Sequence, residues 1–192
     1  MFGGTYALLM AEYNAWMNGK LYDGCARLSD EQRKRDRGAF FKSIHGTLNH
    51  LVWGDRAWLS RFNGKSYGPP TPHPGADLYE DFAALRTARV ELDQEILEWA
   101  RGATPAFLDE PMTWTSRMYG FTQTQPRWVQ VVQMFNHQTH HRGQVHAMLT
   151  AAGIDIGVTD VPLLPVLAAG GSREEPASSA RRESSREGSG TL

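Results

Sequence analysis

The sequence predicts an all-α fold, a bundle of four long helices followed by a tail that does not fold. Three observations lead there. Apolar side chains recur every three to four residues over long stretches. Proline and glycine gather between those stretches. A single short span, Pro111 to Gln125, favours extended backbone. With 192 residues the chain suits one domain with a sizeable core. Its 41% hydrophobic and 10% aromatic content sets it apart from chains that stay disordered.

Tyr6, Leu9, Met10, Tyr13, Trp16 and Met17 lie at helical spacing and mark a first helix, which should weaken near Gly19 and resume to about Leu28. Ser29 and Asp30 then offer capping chemistry. A second helix is expected from about Asp36 to Phe62, because no proline interrupts it and Asn63-Gly64 supplies a stop. The loop from Gly68 to Gly75 carries Pro69, Pro70, Pro72 and Pro74. Each removes a backbone donor and restricts its neighbour, so a long non-helical connection follows.

From Asp77 to about Arg101, Leu78, Phe82, Leu85, Val90, Leu92, Ile96, Leu97 and Trp99 alternate with charge as a third helix, with Gly102 as its end. Trp114, Thr115, Tyr119, Phe121, Thr122 and Thr124 favour a short hairpin or irregular crossing, with Gly120 at the turn. Pro126 suits a helix's first turn, and the fourth helix runs from Arg127 to Ala152 with Gly153 as its cap. Residues 1–167 are thus read as the folded domain. Residues 168–192, rich in Gly, Ser, Arg and Glu, lack the apolar surface to offset their ordering entropy and are read as a disordered tail.

A formal net charge of −1 and a pI near 6.7 give no electrostatic pull toward nucleic acid or anionic membranes. Cys25 is the only cysteine, which rules out an internal disulfide and fits a reducing compartment, with cytoplasm as the default. Glu12 interrupts the first apolar stretch before it could serve as a signal sequence, and nothing approaches the roughly 20 apolar residues of a membrane span.

The chain carries seven histidines, and helical geometry sorts them. On the fourth helix His141 lies one turn along and about 40° around from His137, so the two rings can reach one point. Gln130, Met134, Val145 and Met148 share that face, which points the pair into the bundle. His140 sits on the flank and His146 on the far side. Two imidazoles at this spacing are a recurring clamp for a divalent cation, although an i, i+4 pair alone is more often packing.

A third nitrogen would change that, and His50 on the second helix is the candidate. Its face carries Ala39, Ser43, Gly46, Thr47, Gly54 and Ala57. These small residues either let two helices approach closely or leave room for a metal and a small substrate. His45 points toward the side with Phe41, Val52 and Leu59, as a packed or partly exposed residue. With three imidazoles and one cysteine in the chain, an open site with water in the fourth position fits better than a closed structural one. His73, in the proline-rich loop, reads as a surface residue.

Three separated motifs carry a family resemblance. Tyr13-Asn14-Ala15-Trp16, the run Ser43 to Leu51 with the following Asp55, and the run Phe135 to Gln144 resemble the DinB family of bacterial damage-inducible proteins. Asp81-Phe82 and Val161-Pro162-Leu163-Leu164 extend the match over roughly residues 5–166 in order. The resemblance implies an up-and-down bundle of four long helices with a long crossover (the DinB/YfiT-like arrangement), frequent homodimers, and a metal held by three histidines. Carried over by motif position, those are His50, His137 and His141. The name comes from induction by DNA damage and has no bearing on a translesion polymerase, whose acidic motifs are absent from this sequence.

Relatives of this kind include thiol-cofactor-dependent transferases and isomerases and proposed metal hydrolases, so membership does not fix the chemistry. The leading expectation is an enzyme acting on a small molecule. In it one divalent ion, Zn, Ni or Fe, lowers the pKa of water or of a low-molecular-weight thiol, giving hydrolysis or S-transfer. Trp58, Gln130 and Met134 are candidate pocket residues, with plain core packing as the equal alternative. No catalytic base is assigned, since Asp55 is turned about 140° from His50. The competing expectation is a non-catalytic metal- or ligand-binding stress protein. A dimer interface on the side of the fourth helix bearing Trp128, Val132 and Phe135 is a third, against which stands ordinary packing within the chain.

Overall fold

The computed structural model describes residues 4–67, 78–116 and 120–168. The proline-rich loop with His73, and all but the first residue of the expected tail, lie outside the described residues. Within them the named elements are helices apart from one hairpin, and the four long helices of the sequence reading are all present.

The first of them, α1 (Gly4–Ala26), runs unbroken through Gly19. A lone helical glycine costs only about 1 kcal/mol relative to alanine, less than the packing of α1 returns, so the expected weakening does not occur. Ser29 then caps a short α2 (Asp30–Lys34) with a full capping box to Gln32.

The second expected helix starts later than Asp36. Gly38 and Lys42 take positive φ, Ala39 bridges to Lys42, and the Ser43 hydroxyl accepts from the Gly46 amide at 3.0 Å, opening α3 (Ile44–Asn63). The absence of proline permits a helix without imposing one. Here the serine cap decides where it begins. At the other end Gly64, with φ of 72°, is the predicted left-handed stop.

Helix α4 (Phe82–Gly102) likewise begins after an N-cap, with Asp81 accepting from Ala84 N at 2.8 Å, and not at Asp77; it continues through Gly102 to a cap at Ala103. A short α5 (Pro105–Asp109), unanticipated, is capped by Thr104 with proline in its first turn. Of the two expectations for the next segment, the hairpin forms: β1 (Pro111–Ser116) pairs antiparallel with β2 (Phe121–Pro126). Hydroxyl pairs link Thr113 to Thr124 at 2.7 Å and Thr115 to Thr122 at 2.9 Å. Pro126 closes β2 and caps α6 (Arg127–Ala151). A 3-10 turn (Val161–Leu163) and a short α7 (Pro165–Ala168) end the described chain.

Contacts between helices fix the topology. Asp23 of α1 meets Arg86 of α4 while Asn14 reaches Asp93, so α1 and α4 are antiparallel. His50 meets His137 and Leu51 meets Gln138, while Phe41, just before α3, meets His141 farther along α6. Hence α3 and α6 are antiparallel too. Asp55 meets Arg89 and Phe62 meets Trp99, which makes α3 and α4 parallel. Tyr79, just before α4, lies beside His45 at the start of α3, so the two helices begin at the same end of the bundle, as the long crossover of the family resemblance requires.

Leu21, Ile44, Leu48, Leu59, Leu85, Ile96, Met134 and Phe135 form the apolar core, each 1% exposed or less. A polar layer crosses it. Arg89, 2% exposed, places one guanidinium nitrogen 2.6 Å from Asp55 and another 2.8 Å from Asp93. Asn18 donates to Asp93 at 2.9 Å, the Gln138 carboxamide donates to Asp55, and Arg142 donates to Asn14. All four long helices contribute to this layer. Burial pushes Asp55 up to about 6 against the pull of Arg89, whereas the adjacent carboxylates more than offset burial and keep Arg89 charged.

Removing one member leaves buried charge without a partner, which is far costlier than losing a surface pair. Arg89→Met should lower stability in urea unfolding by about 3–5 kcal/mol. Arg86→Met breaks only the exposed pair with Asp23 and should change it by about 0.5 kcal/mol or less. Similar losses for the two variants would show that the buried layer does not hold the helices together.

Candidate metal centre

His50 projects from α3, and His137 and His141 from the facing side of antiparallel α6. One ligand nitrogen from each lies within 4.8 Å of the other two. The ring centroids are 4.9 Å apart for His50 and His137, 4.6 Å for His50 and His141, and 4.5 Å for His137 and His141. The Nε2 atoms of His50 and His137 stand 2.9 Å apart. The three rings that the sequence reading selected are therefore brought together. Among the described residues no further His, Cys, Asp or Glu joins the group.

The donor set suits a divalent cation. Burial, and next the neighbouring imidazoles His141, His50 and His140, depress the His137 ring to about 3, and burial lowers His141 as well. His137 and His141 are thus neutral at physiological pH and keep a lone pair for a metal. His141 Nδ1 lies 2.8 Å from Gln144 Oε1, which leaves its Nε2 for the shared point, the kind of partner that orients metal-binding histidines. Four-coordinate zinc with nitrogen at about 2.0–2.1 Å sets its ligands roughly 3.3 Å apart, so the present spacing needs only small ring movements.

The small residues around His50 act by close approach and not by leaving space. A Cβ on Gly54 would stand 2.8 Å from Cε1 of His137, and one on Gly46 would stand 2.4 Å from the Phe41 carbonyl oxygen. Gly54 is what allows the His137 ring to lie against α3. Phe41 also differs from expectation. Because α3 starts at Ile44, Phe41 precedes the helix and folds over the site, stacking on His50 at 3.8 Å and meeting His141 edge-on at 5.4 Å. Trp53 stacks on His50 from another side at 5.5 Å.

His45 is packed, with Nε2 2.7 Å from the Tyr79 carbonyl. His140 contacts the ring of His141 at 4.8 Å but stays outside the three-nitrogen group. Trp58, Gln130 and Met134 sit further along the same helix faces toward the hairpin. Trp58 meets Trp114 and Phe62, and Met134 is fully buried. With its amide oriented to satisfy both ends, Gln130 donates to Pro126 O at 2.8 Å and accepts from the Trp114 indole at 3.3 Å. Phe135 packs edge-on against Tyr6 of α1 within the chain.

Phe41, Trp53 and Gln144 were missed as members of the site. Gln144 carried a readable signal, since it lies three residues beyond His141 on the same helix. Phe41 carried none, because its position depends on where α3 begins.

Comparison with known proteins adds family context. The DinB family profile matches residues 1–177. Protein DinB of Bacillus subtilis is 25% identical over 163 residues, spanning 82% of this chain and 92% of its own. The crystal structure of a DinB-like protein from Bacillus cereus superposes with a TM-score of 0.59 at 19% identity, covering 76% of this chain and 90% of that one. The structural likeness speaks for the fold.

Gly54→Ala and Gly19→Ala separate close approach from helix propensity. Alanine at Gly19 meets nothing within 4 Å and should raise stability by up to about 1 kcal/mol. At Gly54 the same change should lower it by about 1–2 kcal/mol as the His137 ring is displaced. Equal gains in chemical unfolding would contradict the packing of His137 on α3.

Proposed function

The chain belongs to the DinB family, and from that premise we propose that His50, His137 and His141 hold one divalent metal ion in an enzyme acting on a small molecule, by hydrolysis or by transfer to or from a low-molecular-weight thiol. The observation that carries the reading is the convergence of three largely buried imidazoles from two helices with no fourth ligand beside them among the described residues. A three-ligand set is the pattern of sites that keep a position open for reactants. A divalent ion at this point would supply Lewis acidity, bringing the pKa of a coordinated water or thiol toward neutrality.

The chain's own residues do the rest. Gln144 orients the His141 ring, Gly54 admits His137, and Phe41 and Trp53 flank His50 and shield the cluster from water. Zn, Ni and Fe all accept three imidazoles, and availability decides among them. Asp55 is committed to Arg89 and Gln138 and is not a general base for this site. A homodimer belongs to the same reading, and light scattering at micromolar concentration giving the monomer mass would count against it. The described helices include none long and apolar enough to cross a membrane.

A non-catalytic metal-binding stress protein is the second reading, favoured by the way the cluster ties α3 to α6 beside the buried polar layer. Elemental analysis of untagged protein should give close to one metal per chain, and His50→Ala, His137→Ala and His141→Ala should each lose it. Saturating metal should raise stability by about 4 kcal/mol at a thousandfold excess over Kd. Hydrolysis or thiol-transfer turnover abolished by chelation supports the enzyme; stabilisation without turnover across such substrates supports the binding protein.

Acid sensitivity follows from the lowered proton affinity of His137 and His141. A free imidazole, with pKa about 6.5, is largely protonated at pH 6. His137, depressed to about 3, remains a ligand there. Dialysis at about pH 6 should therefore leave the metal bound, with release setting in only at lower pH; complete loss at pH 6 would contradict the site's electrostatics.

A further inference from the structure

The three imidazoles of the cluster are steadied by different kinds of contact. Gln144 Oε1 lies 2.8 Å from His141 Nδ1, and the backbone at Gly54 backs the His137 ring. His50 lies flat against Phe41, the ring centroids 3.8 Å apart and the planes 19° from parallel. Trp53 stacks on the same imidazole at 5.5 Å and 26°, and Phe41 also meets His141 edge-on at 5.4 Å. One aromatic ring thus touches two of the three imidazoles, one from each helix.

The turn that presents Phe41 is costly, and apolar packing does not account for it. Neither Phe41 nor Trp53 belongs to the apolar core. Phe40, next in the turn, is left 79% exposed. Burial of apolar surface alone would favour covering both rings. Lys42 takes a φ of 63°, and across it the Ser43 amide donates to the Phe41 carbonyl at 2.7 Å, which closes a γ-turn of the rare positive-φ form. A lysine in that region stores strain, which persists only where surrounding contacts over-determine the backbone.

Those contacts are present. The Arg37 amide donates to the Lys42 carbonyl at 2.7 Å, and the Lys42 amide donates to the Ala39 carbonyl at 2.7 Å. The Phe41 carbonyl is seated on α3 where Gly46 has no side chain, since a Cβ there would stand 2.4 Å from that oxygen. Backbone strain of this kind gathers at functional sites, and here it delivers an aromatic ring to His50 and His141.

We propose that Phe41 is a positioning residue for the metal, holding the His50 ring in the orientation that turns its nitrogen toward His137 and His141, with the strained turn on its Gly46 seat keeping Phe41 in place. An imidazole free to rotate must be ordered when an ion binds, whereas a stacked one is ordered beforehand. The proposal rests on the metal reading above and adds to it a residue that ligates nothing.

The test titrates the full chain with Zn²⁺ alone against a competing chromophoric chelator, and follows the carbon-bound ring protons of His50 by NMR in the metal-free protein. Phe41→Ala should weaken zinc binding about tenfold, the scale of lost ligand-orienting contacts. It should also move the His50 ring protons downfield as the ring current of the stack is lost. Phe41→Tyr, which keeps the ring, should stay close to wild type in both. Gly46→Ala, which displaces the Phe41 carbonyl, should weaken zinc binding when Phe41 is present and have no further effect in the Phe41→Ala background, while lowering the urea midpoint in both. A merely structural role would make the two zinc effects additive. Zinc affinity indifferent to Phe41→Ala, or a Gly46→Ala loss as large without the aromatic ring as with it, would overturn the proposal while leaving the metal reading intact. A wild-type chain that takes up no zinc, nickel or iron would overturn that reading and the proposal with it.

Discussion

Arg89 sits in the middle of the bundle, where a charge is tolerated only because two carboxylates and two further side-chain amides close around it. That layer is the constraint on which the rest depends. Apolar helix faces pack in several rotational settings at comparable energy. A buried ion network does not, because any rotation that separates Arg89 from Asp55 or Asp93 strands a charge in a low dielectric. Four helices are thereby held at one register and one rotation about their axes.

The candidate metal centre inherits its geometry from this constraint. Gln138 and Arg142, which enter the polar layer, immediately follow His137 and His141 along α6. On a helix the two sets form adjacent stripes, about 100° apart. Locking one stripe against Asp55 and Asn14 aims the other at α3, where His50 stands one turn ahead of Gly54. The side chain that would block this approach is missing at Gly54, so the His137 ring lies against the α3 backbone. Stability and site geometry thus share one set of contacts.

Reading the sequence alone singled out the three histidines that converge by two routes, helical phase and motif resemblance, because both depend on local sequence. The same local logic missed Phe41. Extending the second helix back to Asp36 placed that residue on the wrong side, since no proline marks the boundary and the Ser43 cap is one serine among many. Gly46 and Gly54 were recognised as small and near His50, but whether they make room or permit contact is a property of the neighbouring backbone and ring. Arg89 stood unremarked on a charged helix, where an arginine reads as solvent-facing.

What the sequence by itself determined is therefore the number and approximate span of the long helices, the place of one extended segment, and which histidines share a face, for these follow from the residue-by-residue period of one chain segment. Only the tertiary structure decided that α3 and α4 run parallel, that a buried arginine joins four helices, and that the turn before α3 folds an aromatic ring over His50. Each of these depends on residues far apart in sequence meeting across the core, and the free energy of such meetings is not carried by any one segment.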